Sequence, residues 1–396
     1  MSFNIATSGL NAVTKQLGAI SNNIANGGTA GYKSMRAEFS SLYAGGQAMG
    51  VGVSSISQSI TQNGGITGSS RGLDLAISGN GFFMTKDTSG NVSYSRAGYM
   101  GTDSQGYITN NLGKRVQGYP VDANGQLQTG VIGDLKISAG SIPAKATDSM
   151  GFTGNLNANA KEPEVTTFNK DDSKSYNNTY TSKVYDSLGR EHTIEQYFVK
   201  TAENEWEVHY FVDGNAANPA SQPLEFSTNG IITSPTSAVN ITAAIPGADG
   251  LSIALDYAGT SQYGSEFNVS KNSPNGYSAG EKNGEQIDDD GKIYATYSNG
   301  ERLLQGQLVL ANFTNPNGLN SEDGTAWSAT NLSGQAIIGV PKSGLNGAIQ
   351  SYALEGSNVD MTEELVGLMS AQRNYQANTK VISTNDSMMN ALFQAL

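Results

Sequence analysis

The densest group of acidic side chains, Asp288–Asp290 followed by Gly291, is a candidate cation site. Clustered carboxylates bind calcium when they occupy the fixed positions of an EF-hand loop. Placing Gly291 at the sixth position of such a loop puts Gln286 first and Tyr297 last, where the ion needs a carboxylate and a bidentate glutamate. The spacing therefore predicts a turn between two strands and no calcium site.

The other candidates for catalysis or metal binding are few. The chain has 2 histidines, His192 and His209, both in strand-like segments, and they cannot build a three-histidine zinc site. It has no cysteine, which excludes disulfides, thiolate nucleophiles and cysteine-bound zinc. Gly79-Asn80-Gly81 begins like a dinucleotide-binding loop, but no helix pattern follows, so it predicts a turn. We therefore predict a protein that is not an enzyme and needs no cofactor or metal.

Charge and hydropathy exclude two further kinds of partner. The net charge is -12, whereas binding to nucleic acid or to anionic lipid depends on Lys and Arg side chains. No segment approaches the roughly 18 apolar residues of a membrane-spanning helix. The N-terminal residues carry neither a basic region nor an unbroken apolar core, unlike a secretory signal peptide. We predict no contact with nucleic acid, no membrane insertion and, if the protein leaves the cell, export without a cleaved signal.

The N-terminal segment predicts a long amphipathic helix. Its apolar residues follow one another in steps of three and four, the spacing of a heptad seam, and Asn26-Gly27-Gly28 supplies a stop. Lys15 is the only charged side chain before Asn26, so the other faces lack the charges of a solvent-facing helix. We therefore expect copies of the same chain to cover this helix, the alternative being burial in a helical bundle. The seam residues are Phe3, Ala6, Leu10, Val13, Leu17, Ile20 and Ile24.

The C-terminal segment predicts a second helix with a narrower seam. Asp360 is placed to cap its first turn, with Glu363 three residues later. An apolar residue then recurs at every seventh position, whereas the neighbouring row is apolar only at its two ends. We predict that the two terminal helices pair as a coiled coil and that their seams form a polymerisation interface. This predicted interface comprises Phe3, Leu10, Val13, Leu17, Ile20 and Ile24 of the first helix, and Met361, Leu365, Leu368, Tyr375, Ile382, Met389, Phe393 and Leu396 of the second.

Between the helices the sequence predicts mainly β structure. Residues 28–70 hold few bulky side chains in no clear period, which indicates an irregular, extended linker. From Arg71 onwards, short alternating runs and Asn-Gly or Asp-Gly dipeptides indicate strands and tight turns. The clearest case is a strand, a turn and a strand over 180–185, 186–189 and 192–199, with a third strand at 205–212. The predicted fold class is therefore mainly β with α-helical termini.

Several segments resemble the sequence motifs of the bacterial flagellar rod and hook proteins. Within that family the hook members match best, over nearly the whole chain, because the distal rod subunit is similar at both ends but lacks an insertion between Ala144 and about Asn283. The matching segments include Ser8-Gly-Leu-Asn-Ala12, Ile20-Ser-Asn-Asn-Ile-Ala-Asn26, Gly31-Tyr-Lys33, Arg71-Gly-Leu-Asp-Leu-Ala-Ile-Ser-Gly-Asn-Gly-Phe-Phe83, Tyr94-Ser-Arg-Ala-Gly98, Glu355-Gly-Ser-Asn-Val-Asp-Met-Thr-Glu-Glu-Leu365 and Ala371-Gln-Arg-Asn-Tyr-Gln-Ala-Asn378.

The resemblance implies a domain organisation and a function. The implied function is that of a structural hook subunit, which polymerises into a flexible helical tube and transmits motor torque from rod to filament. The alternatives within the family are a distal rod subunit and a hook–filament junction protein. Outside it, a secreted β-rich binding module and a hydrolase stay open. The implied domains are a coiled-coil core at 1–27 and 358–396, a linker at 28–70, an inner discontinuous β domain at 71–145 and 285–357, and an outer inserted β domain at 146–284.

The resemblance also implies partners and a location. The partners are other copies of the chain, the distal rod, the hook cap, the hook–filament junction and the flagellar export apparatus. The location is the extracellular part of the flagellum, reached without a cleaved signal peptide. Arg71 and Arg373 stand beside the family motifs. Each is expected either to pair with an acid across a subunit contact or to be solvated.

Overall fold

The computed structural model describes residues 2–44, 47–123, 125–138 and 140–395. It contains two compact units. The first comprises Met1–Ala139, Gly284–Thr296 and Arg302–Leu396, and the second comprises Gly140–Asn283 and Tyr297–Glu301. Strands predominate and a long helix stands at each end of the chain, which confirms the predicted fold class.

The first unit begins with helix α1 (Ser2–Ala25). The strands that follow it in this unit are β1 (Met35–Ala44), β2 (Gln47–Gln58), β3 (Ile66–Gly68), β4 (Leu75–Ser78), β5 (Phe82–Lys86), β6 (Val92–Ser95), β7 (Met100–Thr102), β8 (Ile108–Asn110), β9 (Arg115–Pro120) and β10 (Gly133–Asp134). The strands of the second unit are β11 (Ser149–Asn157), β12 (Asn178–Tyr185), β13 (Glu191–Ala202), β14 (Glu205–Val212), β15 (Asn215–Phe226), β16 (Ile232–Ser234), β17 (Val239–Ala243), β18 (Leu251–Asp256), β19 (Ser261–Tyr263) and β20 (Asn268–Pro274).

The chain then returns to the first unit and ends in helix α2 (Met361–Ala395). A short 3-10 helix, Pro316–Gly318, lies among the returning strands. Those strands are β21 (Lys282–Ile287), β22 (Lys292–Tyr297), β23 (Arg302–Leu308), β24 (Leu310–Asn312), β25 (Asn320–Glu322), β26 (Ala326–Ser328), β27 (Ile337–Gly339), β28 (Ala348–Ser351) and β29 (Ala353–Glu355).

Helix α1 ends and helix α2 begins where the sequence predicts. Helix α1 stops before the Asn26-Gly27 pair. At the start of α2, the Asp360 carboxylate accepts hydrogen bonds from the backbone amides of Thr362 at 2.8 Å and Glu363 at 3.2 Å. The predicted N-cap is therefore confirmed, and it satisfies amides that have no partner within the helix.

Residues 35–58 differ from the prediction of an irregular linker. Strands β1 and β2 pair antiparallel from Met35 opposite Gln58 to Ala44 opposite Gln47, with two bulges. We call this element the β1–β2 hairpin. The prediction of irregular structure is wrong here because Ser and Gly occupy many of the paired positions, so alternation of apolar and polar side chains is faint.

The β structure of the first unit centres on one large sheet. Its strand order is β21-β22-β23-β9-β5-β6-β26-β25, with β10, β8, β7, β24 and β27 attached at the sides. A buried cluster under this sheet contains Phe82, Tyr94, Phe313 and Trp327. Their rings meet edge to face, with Tyr94 and Phe313 centroids 4.8 Å apart. Such contacts add to burial energy and give the sheet a single packing arrangement.

The second unit has its own sheet and its own core. The strand order is β12-β13-β14-β15-β17-β18-β11-β19, with β16 and β20 at the sides. Strands β12, β13 and β14 cover the three segments predicted as strands, and Asp186–Gly189 forms the predicted turn. Alternate residues of β14 point into a core that includes Trp206 and Tyr210.

Candidate polymerisation interface

Helices α1 and α2 pack against each other within one chain, as predicted. Val13 and Ile20 of α1 and Ala371 of α2 form a buried cluster, and Leu17, Ile24 and Leu368 pack around it. The cluster is small, so it removes little apolar area from water for two helices of 24 and 35 residues.

Two glycines, one on each helix, lie at the contact between α1 and α2. A side chain at Gly9 would place its Cβ 2.9 Å from the side chain of Asn378, so only glycine fits without displacement. A Cβ at Gly367 would stand 3.5 Å from Ile20. The residue numbers of each facing pair, Gly9 with Asn378 and Ile20 with Gly367, add up to 387. The two helices therefore run antiparallel and keep one register between these pairs. The intrachain contact therefore uses a stripe of small side chains beside the predicted apolar rows.

A polar residue fixes the end of the helix pair near the β1–β2 hairpin. The amide nitrogen of Asn23 donates to the Glu364 carboxylate at 2.7 Å and to the Met35 carbonyl at 2.8 Å. Its amide oxygen accepts from the Met35 amide at 2.8 Å and from the Tyr32 hydroxyl at 3.1 Å. Asn23 is almost completely buried, and it ties α1, α2 and the start of β1 together.

The structure places the predicted interface residues that it describes in three groups. Val13, Leu17, Ile20, Ile24 and Leu368 take part in the intrachain cluster. Leu10 and Ile382 are half-buried, and Leu396 lies outside the described residues. The third set stands outside the intrachain cluster and is 42 to 69% exposed. It comprises Phe3, Met361, Leu365, Tyr375, Met389 and Phe393, which we call the exposed seam residues.

Sequence reasoning missed the residues that bring the two helices together. Ala371, at 0% exposure, belongs to a row with Glu364, Asn378 and Asn385 at intervals of seven, and this row faces α1 more than the apolar row does. The available signal was the period-seven repeat of small and amide side chains combined with Gly9. A search for apolar repeats cannot detect that row, because most of its members are polar.

Three charged residues from separate family motifs meet in the interior of the first unit. The Lys33 ammonium group donates to the Glu355 carboxylate at 2.7 Å and to the Gln62 carbonyl at 2.6 Å. The Arg96 guanidinium lies 3.2 Å from the other oxygen of Glu355, and the three side chains are at most 3% exposed. Burial lowers the pKa of Lys33, although its pairing with Glu355 acts in the opposite direction. Glu355 therefore holds together two cations that burial would otherwise destabilise.

The acidic run at Asp288–Asp290 forms the turn that the sequence predicts. The Gly291 amide donates to the Asp288 carbonyl at 2.9 Å. Each carboxylate has its own cation: Arg302 for Asp288, Lys342 for Asp289 and Lys292 for Asp290. Within the described ranges, no group of three or more His, Asp or Glu side chains could hold a metal ion.

The two histidines occupy different environments in the second unit. The ring nitrogens of His192 lie 2.5 Å from a carboxylate oxygen of Asp213 and 3.2 Å from one of Asp186. Burial disfavours the charged ring, but the two carboxylates outweigh it and raise the pKa of His192. His209 stacks on Phe168 with ring centroids 3.9 Å apart, and burial lowers its pKa. His192 thus joins the turn after β12 to the turn after β14.

The two arginines beside the family motifs also differ. The Arg71 guanidinium donates to the Met100 carbonyl at 2.9 Å and lies 3.9 Å from Asp74, so part of it is held within the chain. Arg373 is exposed on α2, and its side chain makes no ion pair with the described residues. Among the described helices, none is long and apolar enough to cross a membrane.

Four family models match the chain in order. The model for the flagella basal body rod protein matches residues 3–33, and that for the flagellar hook protein FlgE/F/G D1 domain matches 76–155. The flagellar basal body protein FlaE D2 domain matches 155–277, and the flagellar basal body rod FlgEFG protein C-terminal model matches 350–395. Matches to terminal helical segments on either side of the matched β regions in the sequence define the class of flagellar rod and hook proteins.

Full-length relatives specify the family within that class. The flagellar hook proteins FlgE of Escherichia coli K12 and Salmonella typhimurium LT2 are each 40% identical to this chain, with 99% of both sequences covered. That of Brucella suis is 30% identical, with 97% of this chain and 96% of the relative covered. The chain belongs to the family of flagellar hook proteins, and its role is that of a structural hook subunit.

A solved structure is consistent with this fold. The crystal structure of Helicobacter pylori flagellar hook protein FlgE2 matches with a TM-score of 0.53 at 15% identity, over 73% of this chain and 100% of that one. The likeness supports the fold alone, because the sequences are so different.

Proposed function

We propose that the chain polymerises through its two terminal helices, whose exposed seam residues contact neighbouring copies. The observation that carries this proposal is the exposure of Phe3, Met361, Leu365, Tyr375, Met389 and Phe393, all 42 to 69% exposed on helices whose mutual contact lies elsewhere. Large apolar side chains left exposed along a pair of helices indicate an interaction surface.

The energy available from these side chains favours a polymer over an isolated pair of subunits. Full burial of a large apolar side chain contributes roughly 1.5–3 kcal/mol, so six that are already half-buried contribute about 5–9 kcal/mol. Association of two proteins costs roughly 4–15 kcal/mol in lost freedom of motion. A contact between two subunits is therefore weak, whereas a subunit held by several neighbours is stable. Different surfaces of each copy must meet, which generates an open helical tube.

The same proposal assigns each part of the chain to a domain of the polymerised subunit. Residues 1–27 and 358–396 form the inner coiled-coil core, 28–70 the linker, 71–145 with 285–357 the inner β domain, and 146–284 the outer β domain. The tube bends while it transmits torque because the helical contacts stay constant and the β domains slide past one another. The scarcity of charge, 15% of residues, and the abundance of Gly favour shallow contacts of similar energy in several registers.

Membership in the hook family supports a set of partners and a location. We assign the distal rod, the hook cap, the hook–filament junction and the flagellar export apparatus as partners beside the chain itself. The subunit is exported without a cleaved signal peptide and acts outside the cell. Its role is structural, and we assign it no catalytic activity.

Aspartate substitutions in α2 test the interface. Leu365→Asp and Tyr375→Asp each place a carboxylate among apolar groups of a neighbouring copy, where burial without a partner costs several kcal/mol, about 3 or more. We expect both variants to fold but to form no tubes in electron micrographs. The matched control is Ser387→Asp, an exposed position in the same row of α2 as Arg373 and Lys380. Tubes from Leu365→Asp and Tyr375→Asp would contradict the proposal.

A further inference from the structure

An apolar groove lies where α1, α2 and the β1–β2 hairpin converge. Ile5 of α1, Phe39 and Val51 of the hairpin and Ala377 of α2 line it, and its volume is about 410 Å³. That volume is within the range of pockets that enclose small ligands, about 300–1,000 Å³. Ile5 and Phe39 are each more than 40% exposed, so their apolar surface is open to an occupant.

The polar groups around the groove are uncharged. Gln16 of α1 and the amides Asn374 and Asn378 of α2 stand among the lining residues, and no Asp, Glu, Lys or Arg is found there. The chain carries a net charge of -12, so copies of it repel one another at long range. A neutral groove is a place where two such copies can approach closely.

Helix α2 extends past the start of α1. Because paired residue numbers add up to 387, the first residue of α1 stands opposite about residue 385. The residues of α2 beyond that point form an overhang, 386–395, of about 15 Å at 1.5 Å per residue. Met389 and Phe393 lie on one face of it, four residues apart, and Phe393 is 69% exposed. Asp386 is the only charged side chain of this overhang.

The overhang cannot fill the groove of its own chain. Ala377 and Phe393 belong to the same helix and are 16 residues apart, which is about 24 Å along the axis. The groove is apolar and uncharged, and the overhang carries the exposed apolar side chains Met389 and Phe393 beyond its one charged residue, Asp386. The two surfaces stand at different levels of one helix pair. An occupant with these properties is supplied by a second copy of the chain.

We propose that the groove of each subunit binds the α2 overhang of a second copy, with Met389 and Phe393 inserted beside Ile5 and Phe39. This inference rests on the proposed function and specifies which surfaces meet. The contact joins different surfaces of the two copies, so a bound pair still has one free groove at one end and one free overhang at the other. Such a head-to-tail contact continues indefinitely and builds a filament or tube.

The absence of cysteine makes disulfide cross-linking a direct test. Phe39→Cys and Phe393→Cys are prepared as separate full-length variants, mixed, assembled and oxidised. We expect disulfide-linked dimers from the mixture and none from either variant alone, because a groove residue meets an overhang residue and not its own counterpart. Ile5→Cys with Met389→Cys is the second pair, used equally if a phenylalanine substitution prevents assembly. Leu332→Cys, exposed on the β part of the first unit, mixed with Phe393→Cys, is the control and should not cross-link.

The outcomes separate the two proposals. Tubes that form without a disulfide in either groove–overhang pair would overturn this inference and leave polymerisation through the helices standing. Dimers formed by Phe393→Cys alone would also overturn it, since they would place two overhangs together. If the cysteine-free parent forms no tubes under any assembly condition, the proposed function fails, and this inference fails with it.

Discussion

Glu355 shows how a single buried side chain holds several segments of the first unit together. Its carboxylate accepts a hydrogen bond from Lys33, pairs with Arg96 and accepts a third bond from the Gly64 amide at 3.0 Å. The three partners come from different parts of the chain, ahead of and within the β structure. The carboxylate therefore fixes the path of the chain as it leaves α1 and as it approaches α2.

Glu355→Gln removes the charge and keeps the size of the side chain. Two buried cations then lack a counter-charge, which costs about 3–5 kcal/mol. We expect Glu355→Gln to unfold at a lower urea concentration than its parent. Unfolding is monitored by the fluorescence of Trp327, in a parent that carries Trp206→Phe so that Trp327 is its one tryptophan. The control is Glu38→Gln, since Glu38 pairs with Arg36 at the exposed surface of the hairpin, and it should leave the midpoint unchanged. Equal effects of the two substitutions would contradict the role given to Glu355.

His192 makes the stability of the second unit depend on pH. Asp213 and Asp186 raise its pKa above the ordinary value of 6.5. The folded state therefore binds the proton more tightly than the unfolded state. The stabilisation is fully present below pH 6.5 and is lost as the pH rises through the pKa of the folded state.

The test is urea unfolding between pH 6 and 9, followed by fluorescence of Trp206 in a Trp327→Phe parent. We expect the parent to lose stability across this range and His192→Gln to lose less. His209→Gln serves as control, because burial lowers the pKa of His209 and its contribution has the opposite sign. Parallel curves for the parent and His192→Gln would show that the two carboxylates do not stabilise the protonated ring.

The residues of the buried charged cluster around Glu355 lie in the sequence motifs that resemble the family, but the contacts between them could not be predicted from those motifs. Lys33, Arg96 and Glu355 each stand in a matching segment. No local pattern shows that three segments so far apart in the sequence converge on one carboxylate. Periodicity reports only on neighbours within one element, and this cluster depends on the tertiary fold.

At the scale of elements, helix α1 contains two glycines in opposite environments, of which Gly9 lies at the contact with α2 and Gly18 does not. Gly9 is buried, and a Cβ there would stand 2.9 Å from Asn378. A Cβ at Gly18 would meet nothing within 4 Å. A substitution at Gly18 therefore tests helix propensity alone, whereas the same substitution at Gly9 also tests the packing of α1 against α2.

We expect opposite effects from the same substitution at these positions. Leucine in place of glycine stabilises an exposed helix position by up to about 1 kcal/mol, so Gly18→Leu should raise the melting temperature of the helical signal at 222 nm. In Gly9→Leu overpacking costs about 1–3 kcal/mol, so the helices should separate and melt earlier. A higher melting temperature for Gly9→Leu would mean that the close approach is not required.

The elements differ in how well the sequence predicts them. The end of α1, the start of α2 and strands β12 to β14 are predicted because stops, caps and alternation are local signals. The β1–β2 hairpin is not predicted, since Gly50 and Gly52 and several serines interrupt its alternation. Its pairing is clear only when the two strands are seen together.

At the scale of the whole molecule, the described contacts leave the two helices with more apolar surface than they can cover themselves. Most of the predicted interface residues belong either to the intrachain cluster or to the exposed seam residues, and Leu10 and Ile382 are half-buried. The sequence indicates which residues are apolar and regularly spaced, but not which of them pair inside the chain. That distinction depends on the register of α1 against α2, in which Gly9 lies against Asn378 and Ala371 packs with Val13 and Ile20.

Removal of the terminal helices tests the central claim most directly. The chain reduced to residues 27–358 keeps the side-chain amide oxygen of Asn358, which accepts a hydrogen bond from the Ser34 amide at 2.7 Å, and it keeps the cluster around Glu355. Electron microscopy and sedimentation of this protein and of the full chain are compared under the same assembly conditions. We expect tubes from the full chain and only soluble monomers from the trimmed one. Tubes built by the trimmed protein would show that the helices are not what joins the subunits.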